Sequence, residues 1–273
     1  MEKLNNKLSN LYVRAFSSIF ITGIILLGIC LGEYYWASIV SVIALISLWE
    51  FYCLLSSRHD ISPYIILFSG VFVLLSCALD ESLTSMLTAI TSVVFISLFV
   101  EIIKKQKTNI SDAINNTGLT VVGLLYVVLP WSFMMIIRTR PMGLMFLSAM
   151  FFCTWSCDVA AYFIGSSLGR NLLCSNVSPK KTWEGFLGGF VASALMGGII
   201  AFYFSYSLIP MVLLGGLWGI SGQIGDLAES LLKREAGVKD SSHLIPGHGG
   251  FLDRFDSILI NSTLAFLLIE LIG

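Results

Sequence analysis

The chain has 273 residues, of which 56% are hydrophobic and 12% charged, and its mean hydropathy is +0.86. A water-soluble fold of this size carries far less apolar surface, so the composition indicates a polytopic membrane protein in a lipid bilayer. The net charge of −1, without a basic stripe or an arginine-rich arm, gives no indication of nucleic acid, and we expect none as a partner. We treat residues 1–273 as a single transmembrane domain.

Nine apolar stretches are candidates for crossing the bilayer, which takes roughly 20 helical residues. They cover residues 15–32, 36–55, 64–79, 83–103, 119–137, 142–157, 186–204, 209–224 and 258–272. The sequence therefore predicts an all-α helix bundle with about nine transmembrane helices. A cleaved signal peptide is the alternative for the first stretch, because Lys3, Lys7 and Arg14 precede it. The length of that stretch and the eight spans after it favour a retained helix.

Basic residues set the predicted orientation, because Lys and Arg are biased toward cytoplasmic loops. With the amino terminus inside, all of the 16 Lys and Arg residues fall on the inside except Arg138 and Arg140. The acidic turn at residues 80–82 lies outside. We therefore predict a cytoplasmic amino terminus in a multi-pass protein. The six Cys residues lie mostly in apolar runs without paired spacing, which argues against disulfides and a zinc site.

The first long inside segment, residues 158–185, carries polar groups at the end of the sixth span. Asp158 and Tyr162 share a helical face if the helix continues, although a helix-end acid and an interfacial aromatic would look the same. The run "SPKKTWEG" follows and suits a turn or a helix start. Its polar side chains could hold an anionic head group, and they are Ser178, Lys180, Lys181, Thr182 and Glu184.

The second long inside segment, residues 225–257, concentrates charge on one predicted helical face. At 100° per residue, a single stripe contains Asp226, Ser230, Lys233 and Arg234. Charges are costly against lipid, so this stripe should face protein, water or substrate. Farther on, Gly249 and Gly250 could form an anion-binding nest before Asp253. Since Mg²⁺ takes one or two protein carboxylates, Asp226 and Asp253 could meet across such an ion.

The spacing in this segment resembles the signature of the phosphatidate cytidylyltransferase family, or CDP-diacylglycerol synthases. The motif reads S-x-x-K-R, then K-D, then P-x-H-G-G-x-x-D-R-x-D, and the resemblance extends to "DVAAYFIG" and "SPKKTWEGFLGG". The signature region thus covers residues 158–257. The matching positions are Ser230, Lys233, Arg234, Lys239, Asp240, His248, Gly249, Gly250, Asp253, Arg254 and Asp256.

The resemblance implies a nucleotidyltransferase that transfers CMP from CTP to phosphatidic acid in phospholipid biosynthesis. It implies a Mg²⁺ requirement, with room for a second, monovalent cation such as K⁺, and a homodimer. Asp226 and Asp253 would be the metal-binding acids. The expected location is a bacterial cytoplasmic (inner) membrane with the active site facing the cytosol, where CTP is found.

We predict different roles in substrate binding for the charged residues. Lys233, Arg234 and Arg254 should clamp phosphates, and Lys180 with Lys181 should attract the lipid phosphate or CTP. Phosphatidic acid is already ionised near neutral pH, so a hydrogen-bond donor is a better role for His248 than a general base. The glycines of the seventh predicted span and the residue before it, at 185, 188, 189, 197 and 198, suit close helix packing.

Two other classes of protein remain open from the sequence. Another CTP-using membrane enzyme, such as a polyprenol or phytol kinase or an archaeal-type lipid cytidylyltransferase, would also act on a lipid and a nucleotide but should lack the full HGGxxDRxD spacing. A transporter would also carry intramembrane charges, and an internal repeat would point to it. The two halves of the sequence show no convincing repeat.

Overall fold

The structure is a computed structural model that describes residues 2–56, 58–242, 244–245 and 249–272, with side chains from residue 16 to residue 271. Within these ranges the chain forms helices and one β-hairpin. The elements are α1 Glu2–Leu31, α2 Glu33–Ser56, α3 Pro63–Leu79, α4 Leu83–Thr108, α5 Ala113–Gly123, α6 Leu129–Thr139, α7 Gly143–Leu168, β1 Leu172–Cys174, β2 Ser178–Thr182, α8 Trp183–Tyr203, α9 Leu208–Ala236 and α10 Leu252–Ile272.

The helices confirm an all-α polytopic membrane protein. A π-helical stretch, Leu124–Val128, joins α5 to α6, so that Ala113–Thr139 is one continuous apolar helix of 27 residues. In the described part of the chain, six helices are long and apolar enough to cross a membrane. They are α2, α4, the joined α5–α6, α7, α8 and α9. All nine predicted spans fall on helices, while the count of nine crossings and the inside amino terminus stay predictions.

The chain divides into two compact units. The first unit contains Met1–Ile136 and Asp240–Arg254, and the second contains Ile137–Lys239 and Phe255–Gly273. The prediction of one transmembrane domain stays a prediction. Each unit has its own part of the signature region, because the segment before α10 belongs to the first unit and α7 to α9 belong to the second.

The first unit is built around large buried side chains. Trp36 of α2 is fully buried, and its Nε1 donates to the carbonyl of Met134 at 2.8 Å, which ties α2 to α6. Trp131 and Phe51 are also buried. Burying the indole N–H with an acceptor avoids the cost of an unsatisfied donor.

The second unit packs its helices closely through glycines, as the sequence predicted. A Cβ at Gly189 of α8 would meet the sulfur and the carbonyl of Cys157 in α7, and one at Gly197 would meet the backbone of Met211 in α9. Gly225 of α9 likewise lies against the backbone of Asp256. These close approaches hold the polar residues of the second unit near one another.

A short antiparallel hairpin connects α7 to α8. Leu172 pairs with Thr182 and Cys174 pairs with Ser178. The sequence predicted a turn or a helix start at Ser178, but Ser178 begins β2 and the helix starts at Trp183. Pairing with β1 explains the difference, because it keeps residues 178–182 extended as far as Thr182, the N-cap of α8.

Candidate active site

An ion pair joins the two predicted inside segments within the second unit. Lys181 Nζ, on β2, lies 2.7 Å from Asp226 Oδ2, on α9. Lys181 Nζ also lies 3.3 Å from the carbonyl oxygen of Gln223, one turn before Asp226. The Lys and Asp side chains are 21% and 38% exposed, so the pair is accessible to a ligand. The structure therefore brings together one cation and one acid that the sequence singled out separately.

The polar stripe of α9 forms as predicted. Ser230 Oγ donates to Asp226 Oδ1 at 3.3 Å, one helical turn along the same face. Lys233 forms an ion pair with Glu229, which is fully buried. Glu229 was missed from the sequence because it carries no signature spacing, and an acid four residues before a lysine on a predicted helix was the available signal.

Arg234 lies at the carboxyl end of α9. Its Nη1 donates to the carbonyl oxygen of Val238 at 3.2 Å, next to the left-handed cap residue Gly237 at φ +77°. Cations near a helix carboxyl terminus interact favourably with its free carbonyl groups. Arg234 is exposed, which leaves its role toward phosphate a prediction.

Two predicted substrate residues of the hairpin region also have structural contacts. Thr182 is the N-cap of α8, and its Oγ1 accepts from Gly185 N at 3.2 Å. Glu184 accepts from the backbone N–H of Arg170 at 3.1 Å and from the amide side chain of Asn171 at 2.8 Å. These bonds fix the hairpin to the start of α8, so that β2 presents Lys181.

Acidic groups gather near the start of α10 in the second unit. Desolvation of the half-buried Asp256 raises its pKa above the ordinary value for Asp, and the negative charges of Asp226, Glu229 and Asp158 raise this pKa further. Asp158 lies on α7, which continues to Leu168. These acids favour a cation nearby, and Lys181 and Lys233 already supply positive charge to Asp226 and Glu229.

The segment before α10 is folded around Asp253 in the first unit. Asp253 Oδ2 accepts from Gly250 N at 2.8 Å, from Ser241 N at 2.9 Å and from Ser241 Oγ at 3.0 Å. Gly249 adopts φ +88°, a left-handed conformation that glycine tolerates best. Instead of an open nest, the N–H of Gly250 points at the protein's own carboxylate.

A carboxylate that the sequence did not single out holds the same segment. Glu50 of α2 is fully buried and accepts hydrogen bonds from Ser241, Ser242, Phe251 and Leu252. The only signal in the sequence was a lone acid inside an apolar helix. Its partners lie 191 to 202 residues away along the chain, which is why spacing did not reveal them.

The remaining predicted site residues are exposed, are half-buried, or lie outside the residues that the structure describes. Exposed positions are Asp158, Lys180, Lys239, Asp240 and Arg254, and Tyr162 is 72% exposed. Ser178 is half-buried in β2. His248 lies outside the described residues. Asp226 belongs to the second unit and Asp253 to the first, so the ion that they were expected to share stays a prediction.

The donor chemistry fits a hard divalent cation. Among the residues described, no group of three or more His, Cys, Asp and Glu side chains is arranged to hold a metal. Mg²⁺ needs only one or two protein carboxylates, because water and phosphate oxygens complete its shell. Asp226, whose negative charge helps to raise the pKa of Asp256, offers such oxygens in the second unit.

An apolar groove of about 880 Å³ lies in the first unit between α1, α2 and the segment before α10. Ligand pockets commonly have volumes of about 300–1,000 Å³. Its walls include Phe20 and Ile24 of α1 and Ile46 of α2, and Ile245 and Phe251 contribute from the signature segment. The groove therefore places apolar surface next to a signature segment.

Comparison with known proteins identifies the family. Residues 12–272 match the family described as the cytidylyltransferase family. A phosphatidate cytidylyltransferase from Synechocystis sp. is 48% identical over 134 residues, which are 48% of this chain and 45% of that protein. Proteins of the same name from Staphylococcus haemolyticus and Staphylococcus aureus are each 35% identical, over 68% and 67% of this chain and 70% of their own length. The chain therefore belongs to the cytidylyltransferase family.

Proposed function

We propose that the chain is a phosphatidate cytidylyltransferase that makes CDP-diacylglycerol and pyrophosphate from CTP and phosphatidic acid. The observation that carries the proposal is the Lys181–Asp226 ion pair, because it joins the two signature segments at one accessible point. The names of the relatives support the choice of substrates. The HGGxxDRxD spacing favours this activity over a lipid kinase.

The reaction joins two anions. An oxygen of the lipid phosphate forms a bond to the α-phosphorus of CTP, and the bond from that phosphorus to the bridging oxygen of the β-phosphate breaks. Pyrophosphate leaves with the electron pair. The lipid phosphate is already ionised, so no strong general base is needed. The protein has to position the anions and neutralise charge.

The residues of this chain divide the work by charge. Lys181, Lys233, Arg234 and Arg254 would hold phosphate groups, with Lys181 exchanging its contact with Asp226 for a substrate oxygen. Asp226 and Asp253, each within its own unit, would offer carboxylate oxygens to Mg²⁺, which would neutralise negative charge on the triphosphate. A monovalent cation such as K⁺ would occupy a second site. The concentration of acids around Asp256 supports cation binding in this region.

The location and assembly belong to the same proposal. The distribution of Lys and Arg supports an active site on the cytosolic face of a bacterial inner membrane. The apolar groove of the first unit would take an acyl chain, because its walls are aliphatic and aromatic. The family resemblance supports a homodimer, which light scattering in detergent would measure.

The deciding experiment incubates the purified protein in detergent with labelled CTP, phosphatidic acid and Mg²⁺. We expect a labelled CDP-lipid, and we expect EDTA to abolish its formation and added Mg²⁺ to restore it. Failure to form any CDP-lipid would reject the proposal. In a parallel reaction, a polyprenol replaces phosphatidic acid and the CTP carries its label on the γ-phosphate. A labelled polyprenyl phosphate, with CDP released, would instead select the kinase.

A further inference from the structure

Glu50 is an acidic residue buried in an apolar helix, where an unpaired carboxylate would be unfavourable. It lies in α2, a helix long and apolar enough to span a membrane, and it is fully buried. An acid buried in such a helix is expensive unless its oxygens are paired, and residues of this kind commonly serve function.

The oxygens of Glu50 meet four donors from the segment that precedes α10. Oε1 accepts from Phe251 N at 2.9 Å and from the hydroxyl of Ser242. Oε2 accepts from Leu252 N at 2.7 Å and from the hydroxyl of Ser241 at 3.2 Å. Each oxygen thus accepts from one backbone N–H and lies within hydrogen-bonding distance of one hydroxyl, an arrangement suited to a carboxylate, which only accepts. Ser241 Oγ carries a single proton, so Glu50 and Asp253 share that donor.

Two of these donors are at the amino terminus of α10. The first N–H groups of a helix have no acceptor within the helix, and the helix dipole favours negative charge there. Glu50 therefore supplies from α2 a carboxylate cap for α10, which is preceded by Phe251, a residue whose side chain has no acceptor. The interaction offsets the burial of the carboxylate and fixes where α10 begins.

Ser241 connects Glu50 to Asp253. Ser241 Oγ lies within hydrogen-bonding distance of both Glu50 Oε2, at 3.2 Å, and Asp253 Oδ2, at 3.0 Å. The backbone of Gly250 fits between them, since a Cβ there would collide with Ser241 Oγ and with the carboxylate of Glu50. The two carboxylates therefore share one set of supports.

We propose that Glu50 is a positioning residue, which holds Ser241, Ser242, Phe251 and Leu252 so that the side chain of Asp253 keeps one orientation for catalysis. The inference rests on the proposed cytidylyl transfer for its kinetic readout. Its structural readout is independent of that activity, because amide exchange of the segment can be measured without substrate.

The test replaces Glu50 by Gln in the full-length protein. One end of the Gln side chain is an NH₂ donor, so it would face a backbone N–H that has lost its acceptor. We expect kcat for CDP-lipid formation to fall about tenfold or more at a temperature well below unfolding. Hydrogen exchange of the amides of Gly250, Phe251 and Leu252, measured by mass spectrometry, should become faster.

Glu101→Gln is the matched control. Glu101 is also a buried acid of the first unit, 5% exposed, and it accepts from Asn116 Nδ2 at 2.8 Å and from Asp112 N at 3.3 Å. None of these partners belongs to the signature segment. This variant should lose thermal stability yet keep kcat and the exchange rate of residues 250–252.

Two further variants test the same contact, one by restoring the carboxylate and one by disturbing it from the neighbouring backbone. Glu50→Asp retains two acceptor oxygens and should recover kcat to at least about three times the Glu50→Gln value. If Glu50→Gln does not fold, Gly250→Ala disturbs the same carboxylate without removing charge and should also lower kcat.

Any of three results would overturn the proposal. The first is a kcat for Glu50→Gln within twofold of that of the unsubstituted protein, and the second is unaltered amide exchange of residues 250–252 in Glu50→Gln. The third is a fall of kcat in Glu101→Gln as large as that in Glu50→Gln. If the unsubstituted protein has no cytidylyltransferase activity, only the proposed function is refuted. In that case, the exchange data would still decide whether Glu50 holds the segment.

Discussion

Lys181 of the hairpin and Asp226 of α9 form a 2.7 Å ion pair that links the two signature segments of the second unit. Both side chains are partly exposed, so the pair contributes little to stability in itself, about 0–1 kcal/mol. Its value lies in placing a cation and an acid together where a phosphate and a metal ion would need them. This relationship leads to the first prediction.

Lys181→Met should lower kcat/KM by about tenfold to a hundredfold, because a phosphate would lose its cationic partner. The melting temperature should change little. Arg140→Met is the matched control, since Arg140 forms a 2.6 Å pair with Glu270 in the same unit at comparable exposure. Steady-state kinetics with both variants check the prediction, and equal losses of activity would contradict it.

Asp226→Asn and Asp253→Asn should each lower turnover by about a hundredfold or more, because a metal ligand loses its charge. Both variants should still insert and fold. At position 253, Asn keeps one oxygen for the N–H donors of Ser241 and Gly250. Turnover at saturating Mg²⁺ is the measurement.

Asp80→Asn is the control for the acid variants. Asp80 accepts from Ser82 Oγ at 2.8 Å, just before α4, and has no contact with the signature segments among those described here. Its activity should be close to that of the unchanged protein. Comparable turnover in all three Asn variants would show that the metal assignment is wrong.

Thr182→Ala should reduce the free energy of unfolding by about 0.5–2 kcal/mol, because Gly185 N loses its cap. Thr182→Ser keeps the hydroxyl and should retain most of the stability. Thermal unfolding in detergent compares the two. If the Ala and Ser variants are equally stable, the hydroxyl does not serve as the cap.

Ile46→Trp should raise KM for long-chain phosphatidic acid several-fold while leaving KM for CTP unchanged, because the larger side chain would fill the groove of the first unit. A short-chain lipid should be affected less. Leu75→Trp serves as the control, since Leu75 is 55% exposed on α3 and outside the groove. The acyl-chain assignment fails if long and short lipids respond alike.

Several parts of the fold and site were predictable because their signals are local. Apolar runs located the helices, since the bilayer demands about 20 apolar residues for each crossing. Helical periodicity put Asp226 and Ser230 on one face, and the hydrogen bond between them confirms it. Glycines at 189 and 197 predicted close packing because only a missing Cβ permits it.

The β-hairpin was not predictable from the same signals. Ser178 and Pro179 suited a turn, but cross-strand pairing with Cys174 extends the chain there. Thr182 and Glu184 were expected at substrate, whereas their hydrogen bonds also serve the cap of α8 and the hairpin. Residue types reveal that a side chain can bind a partner, and neighbours in space decide which partner it binds.

The sequence by itself determined the membrane class, the helical segments and the family signature, because each depends on composition or on fixed local spacing. The tertiary structure alone decided that Lys181 pairs with Asp226 and that Glu50 caps α10. Both interactions join residues far apart in the chain, and Glu50 and Ser241 are separated by 191 positions. No periodicity reports such a contact, since a hydrogen bond depends on distance in space and not on distance along the chain.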